Sequence, residues 1–148
     1  MKHLHKWLRL RNSDRQLLLT TAITLTMIRL GLWLLPWKIL YKLVNRIVQL
    51  PLDHPEADEA IWCAVVWAVE TVSRYLFPPP KCLARALVTQ ILLAWQGYRT
   101  KLCIGVAKNP QGNLEAHAWV ESQGKIIIGK LTNQAKFIPL SSLHQSFT

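Results

Sequence analysis

The chain has 148 residues, of which 51% are apolar, and a formal net charge of +10. This length predicts a single domain with a buried core, and the composition excludes a disordered or low-complexity chain. An odd number of cysteines without C-x-x-C spacing argues against a disulfide scaffold and favours a reducing compartment such as the cytoplasm: Cys63, Cys82 and Cys103. The five histidines are scattered, so we expect no metal or other cofactor.

Positive charge is concentrated near the N-terminus. Residues 1–50 carry nine Lys/Arg and one acid, Asp14, whereas residues 51–80 carry one Arg and five acids. A basic and apolar segment of this kind predicts association with an anionic membrane surface or with an acidic partner. The basic residues follow no helix-turn-helix or RNA-binding pattern, so we expect no nucleic-acid partner.

Two helices are predicted in this basic segment. Ser13 and Gln16 fit a capping box, so the first helix should start there and run toward Leu35. Pro36 should end or kink this helix, because a proline clashes with the preceding helical turn. The second helix should cover residues 37–49.

The stretch Gln16–Leu35 is long enough to cross a membrane, since it has twenty residues and one charge, Arg29. Its ten Leu and Ile residues contribute roughly −3 to −6 kcal/mol to insertion, and Arg29 costs about +2.5 to +3.5 kcal/mol. Gln16 and four threonines add to the cost, so the sum is near zero. We therefore expect a helix packed on protein or lying beside a membrane rather than a true span. No small-x-small cleavage site follows, and a signal peptide is not expected.

Two further helices should build the core. The first should cover residues 55–76, with acids in its first turn and Arg74 near its end. A triple proline then forces an extended connector before the second helix, Cys82–Trp95, and Gly97 is suited to end that helix. This second helix is apolar nearly all round, which predicts a central, buried position.

After Gly97 the hydrophobic pattern changes its period from helix to strand. Residues 102–107, 114–121 and 125–128 read as strands, and turns are predicted at 109–112 and 122–124. A helical first half followed by an antiparallel meander is the α+β pattern.

Cys82 and His117 are the candidates for chemistry. Cys82 follows the triple proline and opens a helix, where unpaired N–H groups and the helix dipole stabilise a thiolate. An imidazole brought beside this thiol from the His117 strand would accept and then donate a proton. The alternatives are an ordinary buried thiol and a structural strand histidine. Alternation places three side chains on the same strand face as His117: Glu115, Trp119 and Glu121.

The other reactive residue types receive structural roles. Cys63 and Cys103 lie mid-helix and mid-strand, where nothing favours a thiolate, so we expect both in the core. Arg85 should make a structural contact or bind a substrate carboxylate. The remaining histidines are most simply solvated: His3, His5, His54 and His144.

Several ordered motifs together carry a resemblance to a known family. They are Cys82-Leu83-x-Arg85-Ala86-Leu87, the strand Leu102-x-Ile104-Gly105-Val106, the segment Ala116-His117-Ala118-Trp119-Val120-Glu121, and Phe137-x-Pro139-Leu140. In this order they resemble the leader peptidase of lasso-peptide biosynthesis, in the short form that lacks a fused leader-recognition domain. That family belongs to the transglutaminase-like, papain-related superfamily, and the resemblance covers about residues 14–140.

The resemblance implies that N-terminal helices precede a transglutaminase-like core, in which a central cysteine-bearing helix packs on a small antiparallel sheet. Residues 1–50 would form the basic helical region and residues 51–148 the peptidase core, in one continuous domain. The implied activity is removal of the leader from a ribosomally made precursor peptide. The implied protein partners are a separate leader-recognition protein and an ATP-dependent lasso cyclase.

The sequence departs from the family pattern at the third catalytic residue. A Cys-His-Asp triad is expected, but no Asp or Glu occurs after Glu121. Asn133 is the best candidate for this position, because a Cys-His-Asn arrangement works in papain-like enzymes. The missing acid leaves open a catalytically weak or inactive scaffold that binds the leader or the cyclase. A third possibility is an acyl transferase, which would use the same thioester with an amine acceptor.

Overall fold

The computed structural model describes residues 11–48, 59–130 and 136–139. These ranges contain four helices followed by four strands, which confirms the predicted α+β class. The helices are α1 (Asn12–Leu34), α2 (Trp37–Val48), α3 (Glu59–Tyr75) and α4 (Cys82–Trp95). The strands are β1 (Lys101–Lys108), β2 (Leu114–Ser122), β3 (Lys125–Ile128) and β4 (Ile138–Pro139).

The start of α1 differs from its prediction, whereas its end agrees. Arg11 is the N-cap and makes no side-chain cap hydrogen bond, so the capping box predicted at Ser13 is wrong. At the other end, the Leu35 N–H donates to the Gly31 carbonyl at 2.9 Å, and Pro36 separates α1 from α2 as predicted. The last predicted residue of α2 and the predicted first turn of α3 lie outside the described residues.

Helix α4 is the central helix, as its apolar circumference predicts. Ten of its fourteen residues are buried, and it packs against α1, α2, α3, β1 and β2. Its end is a Schellman motif, in which Gly97 has a φ of +89° and the Tyr98 N–H donates to the Leu93 carbonyl at 2.9 Å. The helix therefore ends at the glycine that the sequence predicts.

The four strands form one antiparallel sheet in the order β3-β2-β1-β4. In the β1–β2 ladder, Gly105 lies opposite His117. A tight turn with positive φ at Gln123 and Gly124 joins β2 to β3. The short strand β4, which the sequence pattern does not predict, pairs with β1 at Gly105 and Val106.

The two faces of this sheet belong to separate clusters. On the helix face, Ala118, Val120 and Ile128 join the main core, together with the apolar side chains of α4. On the opposite face, which we call the Trp119 face, Trp119 packs with Ala107 and Phe137 in a smaller cluster. Adjacent residues of β2 therefore serve different clusters.

Helix α1 is long and apolar enough to cross a membrane, the one such helix in the described ranges. In the structure it packs against α3 and α4, and Leu25 and Ile28 belong to the main core. One face of α1 is therefore part of the protein interior. Helix α1 contacts α2, which precedes residue 50, and also α3 and α4, which follow it. The division of the chain at residue 50 stays a prediction.

Candidate functional site

Cys82 is the first residue of α4. Lys81 is the N-cap, has an extended backbone and makes no side-chain cap hydrogen bond, so its side chain satisfies none of the free N–H groups of the first turn. Cys82 is half-buried and packs against the main core. The sulfur thus lies at a helix N-terminus, where a thiolate is stabilised, in a residue that solvent partly reaches.

His117 lies on β2 and is half-buried. Its ring stacks on Trp119 with a centroid distance of 6.0 Å, and it tilts against Phe137 at 5.5 Å. His117 therefore shares a strand face with Trp119, as alternation predicts. Its imidazole is wedged among aromatic rings of the Trp119 face.

A backbone group holds the His117 ring. Nε2 is hydrogen-bonded to the carbonyl oxygen of Gly129, which follows β3 directly. A carbonyl oxygen only accepts, so Nε2 carries the proton, and in the neutral ring Nδ1 has the free lone pair. The hydrogen bond therefore selects the tautomer in which Nδ1 is the base.

Gly129 adopts a conformation that a side chain would block. Its φ is +88°, in the left-handed region that favours glycine. An added Cβ would lie 2.8 Å from the Ala118 carbonyl oxygen and 3.0 Å from the Trp119 Cβ. A glycine is required here because the main chain of residue 129 passes so close to β2.

No hydrogen bond joins the side chains of Cys82 and His117, both of which lie in the described part of the chain. Cys82 packs against the main core, whereas the ring of His117 contacts Trp119 and Phe137. Direct proton transfer between them therefore needs a rearrangement that brings the Cys82 sulfur and Nδ1 of His117 within hydrogen-bond range. Asn133, the predicted third member, lies outside the described residues.

The other two cysteines occupy different environments. Cys63 is exposed on α3, so the expected core position is wrong. Cys103 is half-buried beside the Trp119 cluster, where burial and the negative charge of Glu121 raise the pKa of its thiol. A raised pKa suppresses the thiolate, which makes Cys103 a poor nucleophile.

Arg85 has a structural partner. Its guanidinium pairs with the Glu70 carboxylate of α3 at 3.3 Å and so links α4 to α3. Among the described residues, no group of three or more His, Cys, Asp or Glu side chains is arranged to hold a metal ion. The one site contact that the sequence reasoning missed is Gly129, whose only signal was a glycine directly after an apolar strand.

Comparison with known proteins identifies the family to which this fold belongs. The family model of the transglutaminase-like superfamily matches residues 22–142, which include Cys82 and His117. The chain therefore belongs to the transglutaminase-like superfamily, in which cysteine-based catalysis is common. No curated protein and no solved structure matches the chain.

Proposed function

We propose that this protein is a cysteine peptidase that removes the leader from a ribosomally made lasso-peptide precursor. The observation that carries the proposal is the position of Cys82, at the first residue of the buried central helix in a transglutaminase-like fold. The resemblance of the motifs around Cys82 and His117 to lasso leader peptidases narrows the substrate to a precursor peptide.

The proposed reaction has two halves. Once a rearrangement has brought the Cys82 sulfur within hydrogen-bond range of Nδ1 of His117, Cys82 gives its proton to Nδ1, and the sulfur attacks the scissile carbonyl carbon. The C–N bond breaks, the proton passes from His117 to the leaving amine, and a thioester remains. Water then gives a proton to His117 as its oxygen attacks the thioester, and the proton returns to the departing sulfur. The Cys82 N–H, at the helix start, would donate to the oxyanion in both halves.

The proposed partners follow from the division of labour in this kind of maturation. The short form of the family that the motifs resemble works with a separate leader-recognition protein, and we propose that such a protein presents the precursor. An ATP-dependent cyclase would close the ring, and hydrolysis of the leader itself consumes only water. We place these steps in the cytoplasm, where free thiols persist.

The test is leader release by the purified protein together with its recognition protein, followed by mass spectrometry of the products. Cys82→Ala should lower the cleavage rate by about 10³-fold or more, because the nucleophile is lost. Cys63→Ala is the matched control, since it removes an exposed thiol of the same protein and should leave the rate unchanged. Cleavage by Cys82→Ala at the rate of the unmodified protein would eliminate the proposal.

A second candidate is an inactive scaffold that binds the leader or the cyclase. Two observations favour it: no hydrogen bond joins the described side chains of His117 and Cys82, and no acid follows Glu121. Thiol alkylation near neutral pH separates the candidates, because a peptidase needs a reactive Cys82 and a scaffold does not. Leader binding without cleavage, together with an inert Cys82, would establish the scaffold. Product masses also separate hydrolysis from transfer to an amine.

A further inference from the structure

We infer that the main-chain carbonyl of Gly129 takes the role of the third triad member and that no side chain is required for it. The third member of a Cys-His-Asp triad accepts a hydrogen bond from the imidazole and so fixes its tautomer and orientation. In this chain the acceptor is the Gly129 oxygen, bonded to Nε2 of His117. Gly129 is thus a positioning residue for His117.

The surroundings of the ring support this role. Trp119 and Phe137 restrict the imidazole by stacking at 6.0 Å and by tilted contact at 5.5 Å. The Gly129 carbonyl then fixes which nitrogen carries the proton. Two aromatic contacts and one acceptor hold the ring without a carboxylate, and the absence of acids after Glu121 is therefore compatible with an ordered histidine.

A neutral acceptor has a chemical consequence. A carboxylate both orients the imidazole and stabilises the imidazolium, whereas a carbonyl orients it with a weaker charge interaction. The structure therefore assigns orientation to Gly129 and leaves the proton-transfer role with His117. Asn133 becomes dispensable in this arrangement.

The first measurement reads the tautomer directly and does not depend on catalysis. In the full-length protein, the ¹⁵N resonances of the His117 ring at a pH where the ring is neutral should show a protonated Nε2 and an unprotonated Nδ1. Asn133→Ala should leave these resonances unchanged. A protonated Nδ1 in the unmodified protein, or a change of tautomer in Asn133→Ala, overturns the inference.

The second measurement uses glycines with matched backbone strain. Gly129→Ala places a Cβ against Ala118 and Trp119, so it should displace the carbonyl and mix the tautomers of His117. Gly124→Ala is the control, because its φ is +77° and no atom lies within 4 Å of the added Cβ. Gly124→Ala should keep the tautomer of the unmodified protein.

The effect on the cleavage rate rests on the proposed peptidase function. Failure of the peptidase proposal and failure of the Gly129 inference give different results. Leader release should fall about 10²-fold or more in Gly129→Ala and less than about threefold in Gly124→Ala. If no variant and no unmodified protein cleaves the precursor, the peptidase proposal fails while the tautomer result stands. If Gly129→Ala does not fold, the tautomer in the unmodified protein and in Asn133→Ala decides.

A second and independent inference concerns the exposed face of α1. Two threonines of this helix face inward, since Thr21 is fully buried and Thr24 is buried, each with its hydroxyl donating to the carbonyl four residues earlier at 2.7 Å, whereas Thr26 is exposed. Its outer face carries large apolar side chains at helical spacing: Leu19, Ile23, Met27, Leu30 and Leu34. Ile23 and Met27 are 65% and 64% exposed, and Trp33 beside them is 81% exposed. We call this set the α1 stripe.

The two-helix segment that contains the α1 stripe is also basic. The described residues 11–48 contain six Lys/Arg and one acid, Asp14. Three of these cations follow one another at four-residue spacing on α2, and all three are exposed: Lys38, Lys42 and Arg46. We propose that the α1 stripe and these cations dock on an anionic lipid bilayer, with α1 lying along the surface, because apolar area and positive charge together bind such surfaces.

The test is flotation of the full-length protein with phosphatidylcholine vesicles that contain or lack phosphatidylglycerol. Binding should require phosphatidylglycerol and should weaken as salt is raised. The triple variant K38Q/K42Q/R46Q should bind about 10²-fold more weakly, and so should I23Q/M27Q. The matched control, K101Q/K108Q/K130Q, removes the same charge from exposed positions outside these helices and should bind as the unmodified protein does.

Three results overturn this second inference. They are the absence of vesicle binding, equal weakening by both triple variants, and a stable dimer that I23Q/M27Q converts to a monomer. The last result would identify a second copy of the chain as the occupant of the α1 stripe. Thermal melts of each variant establish that the fold is retained.

Discussion

The helix face and the Trp119 face of the sheet carry different kinds of side chain. Under α4 the strands present Ala118 and Val120, small or branched side chains that let the helix approach closely. The opposite face presents rings, and its edges carry charge: the Trp119 Nε1–H donates to Glu121 at 2.8 Å, and Lys136 pairs with Glu115 at 3.5 Å.

This difference separates stability from ring positioning. The helix face joins the large core and supplies most of the buried apolar area, whereas the Trp119 face holds one imidazole among aromatic and polar neighbours. The side chain of Cys82 packs against the main core, to which the helix face belongs, whereas the ring of His117 lies on the Trp119 face. Variants that disturb one face and leave the other unchanged test whether the separation is real.

The largest effect is expected from the helix face. Leu87 is completely buried in α4, so Leu87→Ala should lower the free energy of unfolding by about 2–5 kcal/mol. The ¹⁵N resonances of His117 should not move, because its ring belongs to the other face. Leu114→Ala, at an exposed leucine of β2, is the control and should cost less than about 0.5 kcal/mol. A shifted His117 spectrum in Leu87→Ala would show that the faces are coupled.

A smaller effect is expected from overpacking the Trp119 face. A Cβ added at Gly105 would lie 2.9 Å from the Trp119 ring and 3.0 Å from the Phe137 Cβ. Gly105→Ala should therefore cost about 1–3 kcal/mol of stability in denaturant unfolding. The double variant G105A/W119L should cost less than the sum of its single variants, since the colliding ring is removed. Strict additivity would place the strain elsewhere.

The alkylation rates of two thiols compare the two clusters, because Cys82 packs against the main core and Cys103 packs against the Trp119 cluster. Iodoacetamide should label Cys82 faster than Cys103 near neutral pH, because burial and the charge of Glu121 raise the pKa of the Cys103 thiol. The rate at Cys103 should keep rising with pH after that of an ordinary thiol has levelled off. Cys63, which is exposed, serves as the internal reference in peptide mass spectrometry. Faster labelling of Cys103 than of Cys63 at neutral pH would contradict the raised pKa of the Cys103 thiol.

The smallest effect is expected where β3 is tied to the helices. Lys125 donates to the Glu59 carboxylate at 2.8 Å, and this hydrogen bond and the charge of Lys125 hold the pKa of Glu59 below its ordinary value of 4.5. A carboxyl group whose pKa is lowered in the folded state stabilises the fold at pH values above its ordinary pKa. This contribution is lost as the pH falls through the lowered pKa. The pKa of Lys125 is raised from 10.5 by the same hydrogen bond, so its contribution is lost as the pH rises through the raised value.

Glu59→Gln should therefore lower the melting temperature slightly at neutral pH and not at all in strong acid. The effect should also shrink in concentrated salt, because both side chains are exposed. A loss that persists unchanged in strong acid would point to the helix start rather than to the ion pair.

The sequence predicts those parts of the fold that local signals determine. Gly97 ends α4 and Ile128 ends β3 as predicted, because a C′ glycine and a short apolar run after a tight turn act over a few residues. Strand β4 depends on pairing with β1 across more than thirty positions of the chain, and a two-residue strand has no periodicity to read.

The site is harder to predict than the fold. Cys82 at a helix start and His117 on the Trp119 strand face follow from motif and alternation. The exposure of Cys63 depends on which face of α3 meets its neighbours, and every face of that helix contains apolar residues. The contact between His117 and Gly129 is invisible in the sequence, because every residue has a carbonyl and only the fold aims one of them.

A hydrogen-bond acceptor in the main chain cannot be removed by a substitution, because every amino acid supplies the same carbonyl group. An alanine scan through residues 125–135 would remove each side chain in turn and still leave a carbonyl at position 129, with the strain of Gly129→Ala as the single visible trace. Chemical synthesis reaches it more directly, since an ester in place of the amide between Gly129 and Lys130 weakens that oxygen as an acceptor and adds no atom near Ala118. Motif searches that demand three catalytic side chains would pass over proteins built in this way.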